Sequence, residues 1–165
     1  MCIWTSHPAS RYASGNIAAA PNKGEHPVNA NDAQLTELTT AQSGSTVEDN
    51  APNAPGQPTF DVVVEAVAGS AIGGSGAPYT LTVTAMDLTN VAAAPALKPA
   101  ITNPQHFDLT TGWKLSGPDF EYSQSFSITV PPGQYAGHVL QYVASLVNQN
   151  GQIVSIMESD PFVLV

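Results

Sequence analysis

The residues able to do chemistry are few and scattered. His106-Phe107-Asp108 sets an imidazole and a carboxylate two residues apart, the spacing that puts both on one face of a strand. Such a pair can begin a metal site, but a site needs three or four ligands, and the neighbouring sequence supplies no others. His138 follows Tyr135 in the stretch 131–138. It is placed to meet a ligand, although a lone edge histidine is usually just solvated. Asp119, Glu121, Glu158 and Asp160 fall toward strand ends, where carboxylate and carbonyl oxygens can collect calcium. The dense Asp-x-Asp spacing of a strong calcium loop is missing. The stretch 69–76, Gly-Ser-Ala-Ile-Gly-Gly-Ser-Gly, resembles a phosphate cradle only in composition. A cradle needs a strand before it and a helix after it. Here a strand follows, so a mobile inter-strand loop is expected.

Nucleophiles fare no better. Cys2 has no evident basic partner, and no serine sits in an elbow motif. Nothing recommends the carboxylates as a glycosidase pair over a solvated acidic surface. Thr80, Thr82 and Thr84 form a hydroxyl comb on alternate positions, read as a wet strand face. His7 and His26 suggest only solvation. We therefore expect no catalytic, cofactor-binding or metal-ligating residues, no cofactor, and no enzyme.

Charge narrows the partners. Four Lys and Arg against 13 Asp and Glu give a net charge of −9. Phosphate backbones need clustered basic side chains, so nucleic acid is a poor partner, and anionic membrane surfaces are disfavoured on the same ground. With Cys2 the only cysteine, an intrachain disulfide is impossible. No apolar run is long enough to span a bilayer, and no signal peptide is visible. The low charged fraction, with Thr, Ser, Asn and Gln as solvating groups, suits an extracellular or particle-surface protein.

The elements that must position these residues begin late. Residues 1–58 hold only seven of the Val, Ile, Leu, Met and Phe type: Met1, Ile3, Ile17, Val28, Leu35, Leu38 and Val47. So little apolar surface cannot build a core. Asn31-Asp32 is placed to cap a short helix carrying Leu35 and Leu38 on one face. The stretch 49–58, with Pro52, Pro55, Gly56 and Pro58, reads as an extended linker.

From Thr59 the period becomes two. Phe60, Val62, Val64 and Ala66 alternate with Asp61, Val63, Glu65 and Val67; Tyr79, Leu81, Val83 and Ala85 alternate with threonines. The Pro-rich stretch 91–104 suits an edge strand or a crossover loop. Phe120, Tyr122, Phe126, Ile128 and Val130 share a face, with Glu121 and serines opposite. The chain closes on a hairpin around Asn150-Gly151. A three-residue loop, Gln149-Asn150-Gly151, pairs Leu146 with Val154 and Ala144 with Ile156, apolar against apolar. A two-residue turn would instead pair Leu146 with Ser155 and Ala144 with Met157. The first register is preferred. It places Tyr142, Ala144, Leu146, Val154, Ile156, Phe126, Ile128, Leu81 and Val83 in one core.

Tyr142-Val143-Ala144, after the loop 131–137, resembles the tyrosine corner of immunoglobulin-like and fibronectin-III-like domains, with Ala144 standing where the second cysteine would be. The resemblance covers roughly the last 40 residues well. It implies an all-β, antiparallel β-sandwich over 59–165, preceded by a long irregular N-terminal arm and linker over 1–58. Function does not follow from such a fold.

The expected role is a non-enzymatic structural or adhesive subunit of a larger assembly, with residues 1–58 contacting a like or neighbouring protein subunit. Removing residues 1–58 should then leave the sandwich folded. A chaperone–usher pilin is disfavoured, because a donor arm needs alternating apolar residues. The alternatives are a small-ligand or carbohydrate-binding module, using loops 69–76 and 131–138, and an accessory domain of an enzyme complex.

Overall fold

The computed structural model describes residues 28–53 and 56–165. Ten strands carry the described chain: β1 Ala33–Gln42, β2 Thr59–Ala68, β3 Pro78–Asp87, β4 Ala92–Ala93, β5 Gln105–His106, β6 Trp113–Ser116, β7 Asp119–Thr129, β8 Val139–Asn148, β9 Ile153–Glu158 and β10 Phe162–Val163. A 3-10 turn, Pro95–Leu97, is the one helical element among the described residues. The first sheet runs β1-β2-β7-β6; the second runs β10-β8-β3-β4, with β9 beside β8 and β5 beside β3. All pairings between named strands are antiparallel. This is an immunoglobulin-like sandwich: β1-β2-β7-β6 reproduces the four-strand sheet of that fold, and β3, β8 and β9 its facing sheet.

The inward members of each strand make the core. Phe60, Val62, Val64 and Ala66 of β2 face Leu81, Val83 and Ala85 of β3, with Tyr142, Ala144 and Leu146 of β8 and Phe126 and Ile128 of β7. Aromatic groups close both ends. Near one, Tyr142 stacks on Phe162 at 5.5 Å with Phe60 against them. Near the other, Trp113 packs against Tyr79, Phe107 and Tyr122. The polar tips of these buried aromatic side chains find partners. The Trp113 indole donates to the Tyr79 hydroxyl at 3.1 Å, and the Tyr142 hydroxyl donates to the Leu97 carbonyl at 2.8 Å. Burial pushes the Tyr79 phenol up to about 12, and it pushes Tyr142 higher still.

Three expectations need correction. The first is the helix after Asn31-Asp32. Residues 33–42 form the edge strand β1, with Ala33, Leu35, Leu38 and Ala41 buried. Leu35 faces Ala66 and Glu37 faces Glu65, so Thr36 is an extra residue in a β-bulge. The bulge puts two core leucines three positions apart, the spacing of a helix face. The sheet therefore begins inside the stretch expected to be irregular arm, while residues 1–27 lie outside the described part.

The second concerns residues 49–53, expected as linker. Glu48 bridges Ala41, and the Asp49 amide donates to the Thr40 carbonyl at 2.7 Å while the Thr40 hydroxyl donates to the Asp49 carbonyl at 2.8 Å. The Val163 amide donates to the Asn50 carbonyl at 2.8 Å. The Asn53 amide group both accepts from the Val165 N–H (3.0 Å) and donates to its carbonyl (2.9 Å). These residues lace the edge of the first sheet to the last strand of the second.

The third is the final hairpin. Its three-residue loop is as expected, with Gly151 at φ 75° and the Asn148 amide donating to the Gln152 carbonyl. Val147 faces Ile153, but the register then shifts, and Leu146 faces Ser155, Ala144 faces Met157 and Val143 faces Glu158. Val154 is the bulged residue. Beyond it the strand follows the register of the rejected two-residue turn. Ser155 and Met157 turn toward the interior, and Val154 and Ile156 leave the core for the surface, 43% and 59% exposed.

Candidate assembly surface

The bulge decides what the second sheet shows to solvent. Its outward positions are Thr80, Thr82, Thr84 and Met86 on β3, Val143, Ser145 and Val147 on β8, and Ile153 and Ile156 on β9. The pairings set them in rows: Thr80–Val147–Ile153, Thr82–Ser145–Ile156 and Thr84–Val143–Glu158. Most members are β-branched, the type that lies well on a pleated surface. Glu158 is the one charged residue in these rows. The outward face of the first sheet is different. Glu37, Glu65 and Glu121 stand there with Lys114, Ser123, Ser125 and Ser127, while Asp61 and Val63 on the same side are buried. The sandwich thus has a charged, serine-rich side and a nearly uncharged side.

The two edges of the second sheet also differ. On the β3 side, β4 and β5 cover the ends. Between them the Asn103 side chain accepts from the Leu81 amide at 3.1 Å and donates to the Leu81 carbonyl at 2.9 Å. That amide group completes the ladder as a strand would. On the other side β9 pairs with β8 alone, and Ile153 is 60% exposed. The Ser155 hydroxyl reaches inward to accept from the Leu35 amide at 3.0 Å, joining β9 to the edge of the first sheet. Beside this junction lies a surface cleft of about 390 Å3, with Asn31, Asp32, Gln34 and Asn148 among its polar residues and Phe107 and Leu146 among its apolar ones.

His106 ends β5, its ring bonded to the Gly76 carbonyl at 3.0 Å, whereas Asp108 lies beyond the strand in a turn. Hydrogen bonds from Thr110 side chain and backbone hold the Asp108 carboxyl below its usual range. Asp119 and Glu121 belong to the first sheet, and Glu158 to the second. Among the described residues no three His, Cys, Asp or Glu side chains gather around one point. Cys2, His7 and His26 lie outside the described part.

The glycine-rich stretch is tied down, contrary to the mobile loop expected. Gly69 donates to the Asp32 carbonyl at 2.9 Å and Ala71 to the Ala30 carbonyl at 2.9 Å. A Cβ on Gly69 would meet the Asn29 carbonyl oxygen at 2.2 Å, and one on Gly73 the Phe120 ring at 2.3 Å. Glycine is needed for close approach here, which composition alone cannot distinguish from a flexible turn. Loops 69–76 and 131–138 lie at opposite ends of the sandwich, one after β2 and the other before β8.

His138 makes the best-formed polar cluster. Its Nδ1 lies 2.9 Å from the Asp87 carboxylate, which also accepts from the Asn90 side chain at 2.8 Å and from the Thr89 and Asn90 amides. Burial pushes the Asp87 carboxyl up, and the hydrogen bonds from Asn90 and His138 more than offset it, so it is held below its ordinary value. The cluster pins the turn after β3 to the start of β8, where the Val139 amide donates to the Thr89 hydroxyl at 2.9 Å.

The uncharged outer stripe was missed from sequence. Its signal was present in Val143 and Val147, apolar residues on the side of β8 opposite Tyr142 and Leu146.

No protein-family model matches the chain, and no curated protein matches it. Among solved structures, the major pilin subunit of Bacillus cereus is similar at 14% identity and a TM-score of 0.36, over 79% of this chain. The chain spans 41% of that pilin's length.

Proposed function

We propose that this protein is a non-enzymatic structural or adhesive subunit of a larger assembly at a cell or particle surface. The observation that carries this reading is the contrast between its two outer faces. One carries Glu37, Glu65, Glu121 and Lys114 beside a row of serines. The other carries Val143, Val147, Ile153 and Ile156 among threonines, with one charge in its three rows. Contiguous uncharged, partly apolar surface is where proteins meet partners. The partner is protein, a like or neighbouring subunit, and residues N-terminal to β1 add contacts to it. Sedimentation velocity on the full chain and on a chain lacking residues 1–27 tests this. The full chain should form species larger than a monomer, and the deletion should weaken them without lowering the melting temperature, because the first sheet begins at Ala33. A full chain that stays monomeric at every concentration refutes self-assembly. An unchanged assembly in the deletion refutes the role of the N-terminal residues.

A further inference from the structure

We propose that the chain cuts itself at the Asp160–Pro161 bond, with the Asp160 carboxyl as nucleophile and the Ser159 hydroxyl as the donor that holds the reacting carbonyl oxygen. The site is separate from the outer face of the second sheet, and the proposal does not rest on the assembly reading. The chain is its own substrate and reacts once, so the non-enzymatic reading stands beside it.

Asp160-Pro161 is the one Asp–Pro pair in the sequence. Its chemistry is intramolecular. The aspartate side chain is tethered within reach of its own main-chain carbonyl, and such tethering replaces a collision with a rotation. The proline nitrogen carries no N–H and departs as a secondary amine. What an Asp–Pro pair in a loose chain lacks is a donor fixed on the carbonyl oxygen.

Here the Ser159 hydroxyl donates to the Asp160 carbonyl at 2.8 Å. A hydroxyl has one proton to give. The Ser159 oxygen also accepts from the Tyr142 amide at 3.0 Å, which leaves that proton directed at Asp160. Ser159 is 4% exposed, and its backbone is pinned on both sides. Its amide donates to the Tyr142 carbonyl at 2.9 Å, and its carbonyl accepts from the Gln141 side chain at 2.9 Å. The donor is therefore preorganised where negative charge develops as the carbonyl is attacked. Asp160 and Pro161 are both exposed. Among the described residues the Asp160 carboxyl has no hydrogen-bond partner, so it is free to turn onto its carbonyl carbon, and water reaches the product.

The step balances with water as the sole co-reactant. In its acid form the Asp160 carboxyl bonds one oxygen to the Asp160 carbonyl carbon, and the carbonyl electron pair moves to the oxygen that Ser159 holds. When that pair returns, the C–N bond to Pro161 breaks, and the proline nitrogen takes the carboxyl proton. A cyclic anhydride remains at Asp160, with a free amino group at Pro161. One water opens the anhydride to two carboxyl groups. Nothing is oxidised or reduced.

The cut is silent in the folded protein. Phe162 stacks on Tyr142 at 5.5 Å, and Phe162 and Leu164 are each 1% exposed. The Val163 amide donates to the Asn50 carbonyl at 2.8 Å, and the Leu164 carbonyl accepts from the Gly137 amide at 2.7 Å. Residues 161–165 stay seated as a bound strand after the bond has gone.

The test incubates the full-length chain in one mildly acidic buffer, folded and in urea, and follows the fragments by denaturing mass spectrometry. Thermal melts in the same buffer confirm which samples are folded. The folded chain should release the fragment beginning at Pro161 at least about tenfold faster than the unfolded chain, because only the fold sets Ser159 on the carbonyl. Native mass spectrometry of the folded product should show the whole chain plus one water. Asp160→Ala, a change at an exposed position, should abolish the cut. Ser159→Ala should bring the folded rate down to the unfolded one; if that variant does not fold, the folded-to-unfolded ratio of the unsubstituted chain decides alone. No cleavage in either state, equal rates, or a faster unfolded chain overturns the proposal. Cleavage that persists in Asp160→Ala overturns the carboxyl as nucleophile, and a folded Ser159→Ala chain that cuts at the full rate overturns the donor.

Discussion

Leu38→Ala tests whether β1 belongs to the sandwich or to an arm. Leu38 faces Val64 across the β1–β2 ladder and is 3% exposed. Truncation removes three buried carbon groups, about 2.4 kcal/mol at ~0.8 kcal/mol each. A cavity adds to this in proportion to the volume left unfilled, at ~24 cal/mol per Å3. Because β1 is an edge strand with a bulge at Thr36, its backbone can settle inward, which keeps the cavity contribution small. The total should be about 2.5–3.5 kcal/mol, inside the usual range for leucine truncation. For a domain of this size that lowers the melting temperature by roughly 8–12 °C. Urea unfolding followed by near-ultraviolet circular dichroism gives the free energy directly, and an unchanged denaturant slope shows that the mutation acts on the native state. Gln34→Ala, at an exposed position of the same strand, serves as control and should change stability by less than about 0.5 kcal/mol. A Leu38→Ala loss as small as the control's would refute the packing of β1 and restore an arm that contributes nothing to the core.

Asn53→Ala should cost about 1–2 kcal/mol, because it removes both hydrogen bonds to the Val165 N–H and C=O at a part-buried site; a neutral result in chemical denaturation would show that water replaces the amide. Gly73→Ala should destabilise by about 1–3 kcal/mol through overpacking against Phe120, and full wild-type stability in thermal melts would show that the ring can move aside. Asp87 has a folded pKa below its ordinary 3.8, so the stability it contributes is present above that value and lost as pH falls through the folded one. Asp87→Asn should flatten the stability profile below about pH 4, and an unchanged acid limb would assign the effect to other carboxylates.

Much of the fold was legible because strand alternation survives wherever pairing is regular. Phe60 to Ala66, Tyr79 to Ala85 and Tyr122 to Val130 face the interior as their period requires. Two of the failures were bulges. A bulge inserts one residue and reverses the phase of everything beyond it. It made Leu35 and Leu38 look helical, and it sent Val154 and Ile156 to the wrong side. Bulges are set by how an edge strand bends against its neighbours, here β1 beside β9 through Leu35 and Ser155. No local residue type announces that. The candidate surface was hidden for the same reason, since it exists only once Ile156 is placed outside. The lacing through Asn50 and Asn53 joins partners more than a hundred residues apart, beyond any local pattern.

The amide of Asn103 has a bearing on how far aggregation can propagate. A sheet that grows by strand addition needs an acceptor at both margins, since each arriving chain must offer a fresh template. Here the β3 margin is stoppered by a side chain, and the short flanks β4 and β5 leave no continuous ladder. A chain added to the β9 margin in antiparallel fashion would use up both available templates at once. Growth through this sheet is therefore self-terminating at two chains. Strand addition at this sheet should yield closed pairs in preference to fibrils, and Asn103→Ala is the change that would weaken the block between β4 and β5.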